Sequence, residues 1–224
     1  MKTYPVHITS IRNITHDVLE IVTDKPAQFS FIPGQATTVS IGKESGKEDK
    51  SPFTLTSLPG NEFLEFTIKT YPERDGLTDD LLDLKKGDEL ILHDVFGAIT
   101  YKGEGVFIAG GAGVTPFISI FRQLKETAGV GNNKLIFANK KEEDIINKKE
   151  FSQLLGDNFI NILSEEATNG YAHGEITEEF LKKHLDASIN HIYICGPPPM
   201  VSHVIKQLAH MGVKRQAIII EEMP

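Results

Sequence analysis

Apolar and polar positions alternate in the first part of the chain as they do in β-strands. From Val6 to about Val95, the chain has six short runs that are alternating or β-branched, and Gly, Pro and Asn clusters separate them: VHITSIRN, DVLEIVTD, ATTVSIG, FTLTS, EFLEFTIKTY and DELILHDV. Residues 77–84 are expected to form one short helix. A period of two is typical of strands with one buried face. The pattern therefore predicts a six-stranded antiparallel Greek-key β-barrel.

From about residue 101 the pattern changes to strand-like runs that alternate with helix-like ones. The apolar runs are VFIAG, KLIFAN, NFINILS, HIYICG and AIIIEE. Helices are expected between them at residues 116–125, 145–155, 176–185 and 199–210. Such alternation predicts a parallel five-stranded sheet with helices on both faces. We therefore expect two domains, the barrel at residues 1–99 and an α/β domain at residues 100–224.

The stretch VFIAGGAGVTPFI at residues 106–118 indicates a ligand site. A buried strand ends in Gly110 and Gly111, Gly113 follows, and Thr115 is expected to be the N-cap of the next helix. Glycines let the backbone turn tightly and approach a ligand, and a helix N-terminus favours a phosphate. The spacing is not G-x-G-x-x-G, so an ordinary βα turn is the alternative interpretation.

The end of a second strand carries a similar cluster of glycine and proline residues. Cys195, Gly196 and Pro197 follow the run HIYI and precede a helix. Ligands of parallel α/β sheets bind at the carboxyl ends of the strands. Two glycine and proline turns that open into one crevice favour a binding site over two unrelated turns.

Composition and charge narrow the function classes. Acidic residues outnumber basic ones 31 to 23, a formal charge of −8 that disfavours a nucleic-acid groove. Cys195 is the single cysteine, which excludes disulfides and a four-cysteine iron–sulfur cluster within the chain. The sequence has no H-E-x-x-H, G-x-S-x-G or P-loop motif, and we predict no metal site. No signal core or membrane-spanning run is present, so we expect a cytoplasmic protein without a membrane span.

An ordered series of segments resembles the ferredoxin–NADP reductase superfamily of flavoproteins over essentially the whole chain. The barrel part carries FIPGQ at residues 31–35, SPFTLTS at 51–57, IKTY at 68–71, GLT at 76–78, LKKGD at 84–88 and VFG at 95–97. The later part carries GGAGVTP at 110–116, LS at 163–164, HGEIT at 173–177 and CGPP at 195–198. The resemblance implies an FAD-binding barrel followed by an NAD(P)-binding α/β domain, without a fused ferredoxin domain.

The resemblance also implies roles for particular residues. Flavin contacts are expected at Pro52, Phe53, Thr54, Leu55, Ile68, Lys69, Thr70, Gly76, Leu77 and Thr78. Nicotinamide-nucleotide contacts are expected at Gly110, Gly111, Gly113, Thr115, Cys195, Gly196 and Pro197. Thr54 would tune flavin N5, Thr115 and Cys195 would hold the nicotinamide, and Glu222 or Glu221 would assist. From the residues alone, Phe53 and Thr54 also suit a barrel core, and Cys195 also suits a buried strand-end thiol.

Two positions depart from the family's flavin motif. Ser51 stands where relatives have an arginine that neutralises the flavin pyrophosphate, and Phe53 stands where they have a tyrosine. A lost charge-assisted hydrogen bond costs roughly 1.5–3 kcal/mol, or about 10- to 150-fold in affinity. Our hypothesis is that Arg74 compensates, with Lys50 and Lys69 as alternatives, and FMN is the alternative to FAD.

The expected reaction follows from the resemblance. Hydride would pass from NAD(P)H to bound FAD, and single electrons would then pass to a ferredoxin, a flavodoxin, a cytochrome or a monooxygenase component. The chain ends where some relatives add a ferredoxin domain, so we expect the acceptor to be a separate molecule. The stretch LIFANKKEEDI at residues 135–145 resembles NADH-using cytochrome b5 reductases and favours NADH. The alternatives are a non-catalytic electron-transfer subunit and a free-flavin reductase.

Overall fold

The N-terminal part of the chain forms an antiparallel barrel. The computed structural model describes residues 2–41, 50–71, 76–97, 99–185 and 189–221. The barrel strands are β1 (Tyr4–Thr15), β2 (Val18–Asp24), β3 (Ala36–Ile41), β4 (Lys50–Thr54), β5 (Phe63–Lys69) and β6 (Glu89–Phe96). Their order is β4-β3-β6-β1-β2-β5, and a single bridge between Leu55 and Phe66 brings the end of β4 against β5. That bridge closes the sheet on itself.

Alternating side chains of these strands fill the barrel. Val6, Ile8, Ile21, Leu64 and Phe66 are all at most 1% exposed and pack together. This is the burial that a period of two predicts for strands with one face turned to a core. The helical segment between β5 and β6 adds Leu77 and Leu81 to the same core. It consists of helix α1 (Leu77–Asp80) and a 3-10 turn at Leu81–Asp83, so it is shorter than the predicted helix.

The boundaries of β4 differ from the prediction. The sequence pattern places this strand at residues 53–57, whereas β4 spans Lys50–Thr54. Pro52 lies inside the strand and faces Thr38 of β3. Because β4 forms a ladder with β3 only, it tolerates a proline, which a central strand would not.

The C-terminal part forms a parallel sheet covered by helices on both faces. Its strands are β7 (Val106–Gly110), β8 (Lys134–Asn139), β9 (Phe159–Leu163), β10 (Ala172–His173), β11 (Ile192–Cys195) and β12 (Ile218–Ile220). Its helices are α2 (Thr115–Thr127), α3 (Lys148–Leu155), α4 (Glu178–His184) and α5 (Pro198–His210). The strand order is β10-β9-β8-β7-β11-β12. The order of the strands therefore reverses between β7 and β11, which is where ligands bind in open α/β sheets.

Both faces of this sheet are apolar, which explains its uninterrupted hydrophobic runs. On one face, Phe107 and Phe137 pack with aromatic residues of α2 and α3, including Phe121 and Phe151. The other face, with Ile108, Ile136 and Ile194, packs with Leu181 of α4 and with Val204 and Leu208 of α5.

The predicted fold class is confirmed, with corrections in detail. The parallel sheet has six strands rather than five, because the two-residue β10 pairs with Ile162 and Leu163 at its edge. Two residues carry no readable periodicity. Helix α3 begins at Lys148 rather than at residue 145, since Asn147 adopts a left-handed conformation with φ of 50°. The division into domains at residues 99 and 100 stays a prediction. Within the described ranges, no helix is long and apolar enough to cross a membrane.

Candidate active site

A crevice of about 1150 Å³ lies between the barrel and the parallel sheet. The carboxyl ends of β7 and β11 open into it, so it lies where the strand order reverses. Strands β4 and β5 form its barrel wall. Most of the site residues predicted from the sequence line it: Pro52, Phe53, Thr54, Ile68, Lys69, Thr78, Gly110, Gly111, Gly113, Thr115, Cys195, Gly196 and Pro197.

The other predicted site residues within the described ranges are not part of this lining. Leu55 and Leu77 are buried in the barrel core, and Gly76 is not part of the lining. Thr70 is buried and donates both its N–H and its hydroxyl to the carbonyl of Asp17. The side chains of Leu55, Leu77 and Thr70 therefore do not line the crevice, and flavin contact at these residues stays a prediction. Glu222 and Arg74 lie outside the described residues, so their roles stay predictions.

One hydrogen bond joins the two walls of the crevice. The Thr115 hydroxyl donates to the Thr54 hydroxyl at 3.2 Å. The prediction that Thr115 caps α2 is wrong, because Val114 is the N-cap and Thr115 is the first helical residue. A 3-10 turn at Gly111–Val114 carries the chain from β7 into the helix and turns the Thr115 side chain toward the barrel. The hydroxyl is therefore used between the two sheets rather than within the helix.

The two glycine turns pack directly on each other. A Cβ on Gly113 would lie 2.3 Å from the Cys195 carbonyl oxygen, and a Cβ on Gly110 would lie 2.4 Å from Met200 Sδ. Gly111 is different, since its φ is 50° and a Cβ there would meet no atom within 4 Å. Gly110 and Gly113 thus permit close packing of the turns, while Gly111 leaves backbone open toward the crevice.

Cys195 and Glu221 form a coupled pair at the floor of the crevice. Their Sγ and Oε2 atoms are 3.8 Å apart. Burial raises the pKa of the Cys195 thiol to about 12, and the negative charge of Glu221 adds to the rise. Burial also raises the pKa of the Glu221 carboxyl, and the hydrogen bond from Cys195 counteracts part of that rise. At neutral pH the thiol is protonated and serves as a hydrogen-bond donor rather than a nucleophile.

Lys69, one alternative to the missing motif arginine, already has an acidic partner. Its ammonium lies 2.6 Å from Asp17 Oδ2. Burial raises the pKa of the Asp17 carboxyl, but the hydrogen bond and charge of Lys69 outweigh that effect and leave the pKa lowered. Lys69 lines the crevice, yet much of its charge is balanced within the barrel.

The end of the crevice at β8 contains polar groups that the sequence analysis did not assign as site residues. Asn139 lies at the end of β8, is 8% exposed, and its Nδ2 has no hydrogen-bond partner among the described residues. Glu175 and His203 also line this end. A polar residue at the last position of a buried apolar strand was the available signal for Asn139. Lys140 lies here too, with its ammonium 3.0 Å from Glu165 Oε1.

The residues of the crevice fit a flavin and a nicotinamide nucleotide. Its volume lies slightly above the usual range of small-molecule sites, as two ligands side by side require. Gly111 exposes backbone that a side chain would cover, and the unpartnered Asn139 amide supplies a buried donor. Phe53 and Ile68 add apolar surface on the barrel side. Polar groups and apolar surface therefore lie on both walls, since Ile176, Met200 and Val204 also line the side opposite the barrel.

Comparisons with known proteins agree with this geometry. Residues 3–86 match the family model of an FAD-binding domain, and residues 107–206 match that of an oxidoreductase NAD-binding domain. The reductase component of propane 2-monooxygenase from Rhodococcus jostii is 30% identical over 96% of this chain and 62% of its own length. NADH-cytochrome b5 reductase 2 of Mycosarcoma maydis is 28% identical over 88% of this chain and 62% of its own length. The chain thus spans about three-fifths of the length of these curated relatives.

The fold has counterparts among solved structures. A ferredoxin NADP+ reductase from Neisseria gonorrhoeae, crystallised with bound FAD and NADP, superimposes with a TM-score of 0.84 at 19% identity. The superposition covers 98% of both chains. A barrel matching FAD-binding domains and an α/β unit matching oxidoreductase NAD-binding domains define a two-part flavin and nicotinamide-nucleotide fold. The chain has the two-part fold of the ferredoxin–NADP reductase superfamily.

Proposed function

We propose that the protein is an NAD(P)H-dependent flavoprotein reductase that delivers electrons to a separate redox carrier. The observation that carries the proposal is the crevice whose barrel wall and glycine-turn wall meet at the Thr54–Thr115 hydrogen bond. Bound FAD would accept a hydride from the nicotinamide and release its electrons singly, chemistry that belongs to the cofactor. The residues of the chain bind, orient and shield the two cofactors.

On the barrel wall, Pro52, Phe53 and Thr54 would bind the flavin ring. Phe53 and Ile68 offer apolar surface for a flat ring, and the Thr54 hydroxyl offers a hydrogen bond to flavin N5. Lys69 and Thr78 would lie toward the flavin phosphates. Because Asp17 balances Lys69, the hypothesis that Arg74 replaces the arginine missing at Ser51 remains part of this proposal.

On the opposite wall, the turn at Gly110–Gly113 would bind the nicotinamide nucleotide through its backbone. Thr115 would orient the nicotinamide amide group, and the protonated Cys195 thiol would pack against its ring. Glu221 contacts the thiol and would hold it in place as a donor–acceptor pair. The pair also keeps the floor of the crevice free of a thiolate, which would repel the reduced flavin.

We propose NADH as the preferred nucleotide. A 2′-phosphate would bring about two negative charges to an edge where Asp144 and Glu175 line the crevice. Lys140, which lines the same crevice, is already paired with Glu165. Acidic groups at the ribose disfavour NADPH. The name of the Mycosarcoma maydis relative, an NADH-cytochrome b5 reductase, points the same way.

The proposed acceptor is a ferredoxin, a flavodoxin, a cytochrome or the oxygenase component of a monooxygenase. The support comes from relatives, one called the reductase component of propane 2-monooxygenase and one called a cytochrome b5 reductase. We also propose a cytoplasmic location, since a single cysteine in 224 residues is typical of a reducing compartment.

The absorption spectrum of the purified protein tests the proposal. Protein reconstituted with FAD should be yellow and should bleach anaerobically when NADH is added, more slowly with NADPH. Thr54→Val should retain flavin and bleach up to about tenfold more slowly, because one hydrogen bond to the reacting centre is removed. Thr38→Val, a matched change on β3 outside the crevice lining, should bleach like the unmodified protein. Protein that binds neither FAD nor FMN would refute the proposal, and turnover that requires added free flavin would identify a free-flavin reductase instead.

A further inference from the structure

Three polar side chains form a stripe on the face of helix α2 that contacts the barrel. Thr115, Ser119 and Arg122 are spaced four and three residues apart and so share one face of the helix. The Thr115 hydroxyl donates to Thr54, as described above, and the Ser119 hydroxyl accepts the backbone N–H of Gly34 at 3.0 Å. Arg122 is the third residue of this stripe that contacts the barrel, and it has more hydrogen-bond partners than Thr115 or Ser119.

The guanidinium of Arg122 binds two carboxylates from different parts of the molecule. Nη1 donates to Glu65 Oε1 of the barrel at 2.6 Å and to the Thr56 carbonyl at 2.9 Å. Nε and Nη2 donate to the two oxygens of Glu150 on α3, at 2.6 and 2.9 Å. Burial lowers the pKa of Arg122, but Glu150 and Glu65 outweigh burial and raise it above its usual value. The cation is therefore permanent, and one side chain links α2 to α3 and to the barrel.

The barrel partners of Arg122 lie where the barrel closes. Thr56 donates its N–H to the Glu65 carbonyl and its hydroxyl to the Glu65 carboxylate, both at 2.8 Å. The closing bridge between Leu55 and Phe66 is the neighbouring residue pair. Thr56 is also only two positions after Thr54. The same short segment of the barrel therefore contacts both ends of the α2 stripe.

Two fixed points set the position of a helix along its axis and its rotation about that axis. Thr115 and Arg122 are seven residues apart, about 10 Å along an α-helix. The first point lies in the crevice, and the second lies outside its lining. Without Arg122, only the hydroxyl contacts of Thr115 and Ser119 would join this face of α2 to the barrel among the described residues, so the helix could turn about them and move the glycine turn at its N-terminus.

We propose that Arg122 is a positioning residue, which binds Glu65 and the Thr56 carbonyl and thereby aligns the nicotinamide side of the crevice with Thr54 on the flavin side. The effect on hydride transfer rests on the proposed function. The alignment itself is a property of the chain and can be measured without turnover.

Matched truncations separate positioning from simple stabilisation. Glu65→Ala and Glu150→Ala each remove one carboxylate from the same guanidinium, but only Glu65→Ala breaks the contact with the barrel. Arg122→Lys keeps the positive charge but loses the planar guanidinium that binds both carboxylates. In Glu65→Ala and Arg122→Lys, the limiting rate of flavin reduction at saturating NADH should fall by about 10- to 100-fold, the effect of a misplacement near 1 Å. Glu150→Ala should keep that rate within about twofold even where it melts earlier.

Hydrogen exchange at the Gly34 amide gives a readout that does not depend on turnover. This amide donates to Ser119 across the same contact between α2 and the barrel. In Glu65→Ala and Arg122→Lys it should exchange at least about tenfold faster than in the unmodified protein, and in Glu150→Ala it should not. Equal effects of Glu65→Ala and Glu150→Ala on the rate and on exchange would overturn the proposal. If the unmodified protein is not reduced by NADH or NADPH, the proposed function fails, and exchange at Gly34 still decides whether Arg122 positions α2.

Discussion

The packing of the two glycine turns makes a sharp prediction for Gly113→Ala. A Cβ at this position would lie 2.3 Å from the Cys195 carbonyl oxygen, 2.5 Å from the Cys195 carbonyl carbon and 2.6 Å from Gly196 Cα. All three atoms belong to the backbone, so no side-chain rotation relieves the clash. The φ of Gly113 lies outside the left-handed region, and alanine can adopt it without strain. The methyl group alone is therefore the perturbation.

The magnitude follows from that distance. An ordinary contact of a Cβ begins at 3.4 Å, so the β7 turn must move about 1 Å away from the end of β11. Overpacking of this kind costs about 1–3 kcal/mol of folding free energy. A displacement near 1 Å between the walls of the crevice should slow flavin reduction by NADH about 100-fold.

The assay is anaerobic flavin reduction by NADH, read beside flavin occupancy and urea unfolding. Gly60→Ala is the matched control, because its φ is outside the left-handed region and a Cβ there meets no atom within 4 Å. It should leave both the rate and the stability unchanged. A Gly113→Ala protein with the stability and the rate of the unmodified protein would show that the turns are not held as tightly as the structure has them.

Four further predictions concern three groups near the crevice and the sheet. Because its pKa is about 12, Cys195 should react with iodoacetamide at pH 8 at least about 50-fold more slowly than free cysteine, and a rate that levels off near pH 8.5 would contradict this. Above pH 9 the unfolded thiol ionises while the native one does not, so the free energy of unfolding should fall by about 1.4 kcal/mol per pH unit from this group. The Tyr193 hydroxyl binds three backbone groups of Lys102 and Gly103, in the segment before β7. Tyr193→Phe removes this hydroxyl, so the free energy of unfolding in urea should fall by about 1–3 kcal/mol. An unchanged urea midpoint would contradict this prediction. Glu165→Gln removes the acidic partner of Lys140 and should raise kcat/KM for NADPH relative to NADH by about two- to fivefold. The control is Glu179→Gln, which removes the partner of Lys183 within α4 and should leave this ratio unchanged.

The fold was largely predictable because burial follows simple periods here. Barrel strands with one buried face alternate, and strands of the parallel sheet are apolar throughout, so both sheets can be read from the sequence. The predicted strand boundaries were wrong where strand position or pairing, rather than periodicity, determines the structure. The predicted strand begins only after Pro52, yet Pro52 lies within β4, because a strand that forms a ladder on one side accepts a proline. The strand at Ala172–His173 depends on pairing with β9 and carries no period of its own.

The candidate site was predictable as two turns but not as a set of contacts. Glycines mark Gly110–Gly113 and Gly196 in the sequence, and both turns open into one crevice. The partner of Cys195 was not readable, because the register of β11 against β12, with Ile194 opposite Ile220, decides that Glu221 lies beside it. Arg122 gave no signal either, since an arginine on an amphipathic helix ordinarily faces solvent and Glu65 is 57 residues away.

The wide sequence separation of the groups that meet at the crevice has a consequence for the order of folding. Thr54 and Thr115 are 61 residues apart, and Gly34 and Ser119 are 85 residues apart. Contacts of such long range form late, because the entropy of closing the loop is lost before the contact is gained. During synthesis the sixth barrel strand ends at Phe96, about one hundred residues before β11 supplies the second turn. A nascent chain therefore holds a complete barrel that has only one wall of its future crevice, and the turn against which Gly113 packs is among the last pieces to arrive.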